Sequence, residues 1–120
     1  MENKQSLGKS GEEFAARLLI ESGLKIVNRN YRCPKGEMDI IVRDEKVLVF
    51  MEVRTRRSSY RGWGEESITH QKARRLKAIA SYYLLQKGYS SWPCIRFDVM
   101  AIRWIGEQPE VNWIKAALQD

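Results

Sequence analysis

Residues 36–56 read GEMDIIVRDEKVLVFMEVRTR, two alternating apolar runs around an Asp-Glu-Lys turn. Side chains on a strand alternate between faces with period two, so such runs decide which residues share a face. The pattern predicts a hairpin with strands at 37–43 and 47–54. A two-residue turn at Asp44-Glu45 sets Met38 across from Met51, Ile40 from Val49 and Val42 from Val47. With Val53 these residues make one apolar face. The other face carries Glu37, Asp39, Ile41 and Arg43 opposite Glu52, Phe50, Leu48 and Lys46, and Arg54 continues that row. An even shift of register preserves the two faces, whereas an odd slip mixes them.

In this register Glu37 lies across from Glu52, with Asp39 as their diagonal neighbour. Opposed Cβ atoms sit roughly 5 Å apart and diagonal ones about 7–8 Å. Like charges at that range repel, and burial strengthens the repulsion. One carboxyl can hold a proton, nearby arginines can neutralise the cluster, or a hard divalent cation can bind, since Mg²⁺ and Mn²⁺ prefer oxygen ligands. Arg54, Arg56 and Arg57 are close in sequence and favour the arginine solution over the metal. The middle of the acidic face is itself apolar (Ile41, Leu48, Phe50), so helices are expected over part of both faces.

The rest of the chain supplies those helices. In residues 8–22, Phe14, Ala15, Leu18 and Leu19 form a helical stripe stopped by Gly23. Glu13 and Arg17 make an i,i+4 pair, while Glu12 lies in line with Ala15, Ala16 and Leu19, where a carboxylate needs a partner. Residues 25–32 read as a strand, and 55–66 as a flexible basic loop. Residues 69–87 form the longest helix, with Ser67 or Thr69 as N-cap and Gly88 beyond the end. Residues 95–104 read as a fourth strand, and VNWIKAALQ as a short helix after Asn112. The order helix-strand-strand-strand-helix-strand predicts one α/β domain over residues 1–120, a sheet of about four strands flanked by helices.

The charge balance is 21 Lys and Arg against 15 Asp and Glu in 120 residues, which favours a polyanionic partner. Cys33 and Cys94 make neither a disulfide framework nor a zinc site, and His70 stands alone in a polar run, which argues against histidine-based metal or triad chemistry. No apolar run is long enough for a bilayer, and the N-terminus lacks a signal-peptide core, so a cytoplasmic protein with no membrane partner is expected.

Several motifs then combine: G-x-x-G-E-x-x-A at 8–15, N-Y-R at 30–32, G-E-x-D at 36–39, F-x-E-V-R at 50–54, T-x-x-K-x-x-R at 69–75 and R-F-D-V at 96–99. Together they resemble the YraN-type family of small bacterial proteins, over nearly the whole chain. Asp39 followed by Glu52-Val53-Arg54 resembles the D…(E/D)-x-K signature of the restriction-endonuclease-like superfamily. The resemblance implies a mixed sheet of that fold and a predicted metal-dependent endonuclease similar to Holliday-junction resolvases. Its substrate would be DNA, branched or single-stranded, and its cofactor Mg²⁺ or Mn²⁺. It implies Asp39 and Glu52 as metal ligands with the Val53 carbonyl, Glu37 as a helper ligand or salt-bridge partner, and Glu12 as the helix-borne acid. Arg54 stands where the signature has lysine. Arginine stays protonated in proteins, so it can hold phosphate but not act as a base. The alternative is a non-catalytic nucleic-acid-binding module on the same fold. By analogy with resolvase-like relatives, a homodimer fits as well.

Phosphate contacts are expected from Arg56, Arg57 and Arg61 in the loop, where Tyr60 and Trp63 offer stacking surfaces, and from Lys72 and Arg75 near a helix N-terminus. Arg29, Arg32 and Lys35 lead into the hairpin and extend the same basic surface. Asp98, beside Arg96, reads as one half of a structural ion pair.

Overall fold

Gly23, at φ 90°, ends the first helix, α1 (Lys4–Glu21). The computed structural model describes residues 4–57 and 68–118, with side chains from residue 10 onward. Five strands follow the helix or flank a second one: β1 (Lys25–Cys33), β2 (Gly36–Asp44), β3 (Val47–Arg57), then α2 (His70–Gln86), β4 (Cys94–Ile105) and β5 (Gln108–Ile114). They form one sheet in chain order, with β1–β2, β2–β3 and β4–β5 antiparallel and β3–β4 parallel. The parallel pair requires a crossover, and α2 lies on it. The architecture is α/β and compatible with the restriction-endonuclease-like arrangement, with five strands rather than about four.

The fifth strand replaces the helix expected at the tail. Gly106, at φ 62°, turns the chain back at the end of β4, and residues 108–114 pair with 99–105. In that segment Val111 and Trp113 alternate onto the α1 side of the sheet, which a helical reading of VNWIKAALQ overlooks. Likewise β3 continues through Thr55, Arg56 and Arg57, residues expected in the loop. The remainder of that loop, including Tyr60, Arg61 and Trp63, lies outside the described residues.

Each face of the sheet carries one helix. On one, Ala15, Ala16 and Leu19 of α1 pack on Ile40, Val42, Val49, Met51, Met100 and Ile102. On the other, Leu76, Ile79, Ala80, Tyr83 and Leu84 of α2 cover Tyr31, Met38, Ile41, Leu48, Phe50 and Phe97. Thr69 caps α2, its hydroxyl accepting from the Lys72 N–H at 3.2 Å. Leu85, by contrast with Tyr83 and Leu84, is exposed.

The hairpin turn sits at Glu45-Lys46, not Asp44-Glu45, with Glu45 at φ 56°. Val42 therefore faces Val49 and Ile40 faces Met51, two positions from the expected register. The even shift keeps the apolar faces, except at one point. Arg29 pairs with Ile40 on the α1 side, yet Tyr31 and Met38, one pair further on, face α2. The break falls at Asn30 and Asp39, where Asn30 adopts φ 52°. Asparagine is one of the few side chains tolerated there. Both strands are creased at this pair, and Met38 leaves the face that alternation assigns it.

Candidate active site at the open end of the hairpin

Backbone pairing between β2 and β3 runs from Asp44↔Val47 to Ile40↔Met51 and then stops. Beyond it, the Val53 N–H donates to Asp39 Oδ2 at 2.7 Å. The Asp39 side chain thus takes over from the ladder at the crease. Glu52, on the α2 side, meets two cations. The Lys72 ammonium from the first turn of α2 pairs with Glu52 Oε1, and Arg54 Nη2 lies 3.3 Å from Oε2. Glu12 approaches Asp39 from α1. Gly11 makes that approach feasible, because a Cβ at Gly11 would lie 2.0 Å from Thr55 Oγ1 on β3.

Three carboxylates from three elements therefore meet, and their electrostatics register it. The Asp39 carboxyl is pushed up from 3.8 to about 6. Burial is the largest cause, and the charges of Glu12 and Glu52 and a hydrogen bond to Glu12 add to it, against the opposing Val53 N–H. A carboxyl titrating near neutrality beside two other acids is a recognised mark of functional sites.

Glu37 is placed differently from the expected cluster. It lines the same groove, but its carboxylate turns outward to Arg32 Nε at 3.3 Å, with both side chains well exposed. The register shift contributes to this, since it carries Glu37 two positions beyond its expected place across from Glu52. The groove itself encloses about 320 Å³ and is lined by Gly36, Glu37, Met38, Asp39, Glu52, Arg75 and Leu76. Arg75 stands at its rim, with Lys72 one helical turn earlier. Arg56 and Arg57 leave the same end of β3 with Arg54, and Arg57 Nη1 donates to the Gly106 carbonyl at 2.7 Å. Arg29 is tied by a 3.0 Å ion pair to Glu13, which was expected to pair with Arg17.

The donors at the cluster are hard oxygens, the chemistry Mg²⁺ and Mn²⁺ select. Glu12 and Glu52 both act on Asp39 with such oxygens, whereas Glu37 faces away. Among the described residues, however, no three His, Cys, Asp or Glu side chains already converge on a cation position. Glu52 turns its oxygens to Lys72 and Arg54, and Asp39 turns to Glu12 and Val53.

Two residues matter here beyond those the sequence singles out for the cluster. Lys72, read from sequence as a phosphate contact, is bound to Glu52. Gly11 has a legible signal, a glycine inside a helix that costs about 1 kcal/mol unless close packing requires it. Elsewhere, Asp98 is buried and fully engaged. Arg96 grips it in two bonds of 2.9 and 3.0 Å, Trp113 Nε1 donates at 3.0 Å, and the Ala116 N–H donates at 3.0 Å. It is a structural ion pair that ties β4 to the tail. Cys33 and Cys94 are free thiols, and His70 is exposed. No helix among the described residues is long and apolar enough to cross a membrane.

Comparison with known proteins gives a match to the family described as uncharacterised protein family UPF0102, over residues 11–102. A UPF0102 protein of Desulfitobacterium hafniense strain Y51 is 50% identical over 117 residues, covering 95% of this chain and 97% of the relative. One of Moorella thermoacetica is 46% identical over 108 residues, covering 90% and 88%. One of Nocardia farcinica is 41% identical over 115 residues, covering 95% and 90%.

Proposed function

The chain belongs to the uncharacterised protein family UPF0102, and from that premise and the acid cluster we propose a metal-dependent endonuclease acting on branched or single-stranded DNA. One observation carries the reading. Glu12, Asp39 and Glu52 are held together by α1, β2 and β3 at the cost of a carboxyl pushed up to about 6. An arrangement that costs stability is better explained by use than by packing.

In this reading Asp39, Glu52 and the Val53 carbonyl hold Mg²⁺ or Mn²⁺, with Glu12 supporting Asp39. When bound, the ion supplies acidified water and offsets charge on the phosphate. The chain's own residues do the rest. Arg75, at the groove rim, holds the DNA backbone beside the acids, and Arg54 stabilises charge on the scissile phosphate as a fixed cation. Arg56 and Arg57 extend the phosphate track along the end of β3, and Arg61 continues it in sequence.

Incubation with Mg²⁺ or Mn²⁺ and a panel of branched, flapped, single-stranded and linear duplex DNAs tests the proposal. Cleavage by the wild type that is lost in an Asp39→Ala, Glu52→Ala double variant is the expected result. Equal outcomes for the two proteins on every substrate would refute catalysis.

A second reading is favoured by a specific observation, the two cations already on Glu52. In it the protein binds nucleic acid on the nuclease fold without turnover. Salt-sensitive DNA binding with no product at any metal concentration selects this reading.

A further inference from the structure

Both carboxylate oxygens of Glu52 are engaged, and by cations from different elements. Arg54 is two residues along the same strand and fixed in its row. Lys72 comes from α2, separated from Glu52 by 20 positions in the chain. Its backbone is held by the Thr69 cap, while its ammonium sits at the end of a flexible stem that is partly exposed. Lysine differs from arginine as a compact charge with no fixed fork, so it leaves one oxygen and takes another with little geometric penalty. The signature's lysine place on β3 is filled by Arg54, so Lys72 is the lysine that reaches the acids.

We propose that Lys72 is a positioning residue that occupies Glu52 Oε1 in the metal-free protein, yields that oxygen to an incoming divalent cation, and then turns to the DNA phosphate. The inference rests on the endonuclease reading and adds a role to the same site. It accounts for an acid that acts on Asp39 yet has both of its oxygens on cations. Removing Lys72 frees Glu52 Oε1 to ligate while Arg54 stays on Oε2, so the competent fraction of sites rises. Keeping it holds the repulsion at the cluster in check until metal arrives. The swing leaves an ammonium next to the groove where Arg75 already faces the substrate path.

Mn²⁺ binding measured by calorimetry on the purified full chain tests this. Lys72→Met, which keeps the stem and removes the charge, is expected to bind Mn²⁺ roughly tenfold more tightly, as when the competent fraction rises from about a tenth toward one. In EDTA the same variant is expected to melt below the wild type, with the order reversing as Mn²⁺ is added. Lys72→Arg, which keeps a cation on Glu52, is expected to stay near the wild type in both measurements. A Lys72→Met protein that binds Mn²⁺ no more tightly than a wild type that does bind it overturns the role of Lys72 alone. Silence of both proteins toward Mn²⁺ overturns the metal reading and this role with it. The readouts are an affinity and a melting temperature, so neither depends on cleavage.

Discussion

Asp39 is where the physical argument is sharpest. Its folded pKa, about 6, lies above the ordinary 3.8, so the folded state binds the proton more tightly. The group therefore costs nothing below about 3.8, and stability is lost as pH rises from there through about 6. A shift of that size corresponds to about 2–3 kcal/mol near neutrality. Asp39→Asn keeps an oxygen to accept the Val53 N–H and removes the charge. In EDTA at about pH 7.5 it is expected to stabilise the protein by about 2 kcal/mol, and at about pH 4 the gain should nearly vanish. Urea midpoints at the two pH values check this, and equal gains at both would show that charge is not the cause. The placement of Glu12 on the apolar margin of its helix, and its need for a partner, were legible from one-residue offsets along the chain. That its partner is Asp39 was not, because no local pattern shows which strand residue a helix reaches. Lys72 shows the same limit: spacing places it on a helix face but does not reveal that Glu52 lies opposite.

Among the elements, the hairpin shows how far periodicity reaches. Alternation named the two strands, and an even register shift left its faces intact up to the crease. The turn itself was misplaced by one residue, because Glu45 adopts φ 56° without the Gly or Asn that normally announces such a turn. The crease was hidden further, its one trace being Asn30 within an otherwise plausible strand. The tail was read as a helix because Ala and Leu outweighed the shorter alternation Val111-Asn112-Trp113, and tertiary pairing with β4 decided the matter. α1 approaches β3 closely at Gly11. Gly11→Ala drives a methyl into Thr55, so it is expected to destabilise by about 1–3 kcal/mol and displace Glu12 from Asp39. Thermal denaturation of Gly11→Ala and of the Gly11→Ala, Thr55→Ala pair checks the mechanism. The second change removes the nearest atoms and should recover part of the loss, whereas additive losses would place the strain elsewhere.

For the whole molecule, the net charge of +6 coexists with an acidic cluster at the groove floor. The proposed nucleic-acid contact is then electrostatic at its rim, so affinity should fall linearly with the logarithm of salt. Arg75→Ala is expected to reduce that slope by about 1 and to weaken binding equally across sequences, as a phosphate contact does. Fluorescence anisotropy over a salt series with two unrelated oligonucleotides measures both, and a sequence-dependent loss would reassign Arg75 to base contact. The acids and their lysine come from positions 12, 39, 52 and 72, on four separate elements. Their sequence separations mean that no single element of the chain carries the assembly. A nascent or partly unfolded copy presents scattered carboxylates, so the chemistry proposed for them waits on the fold, which acts as its safety catch.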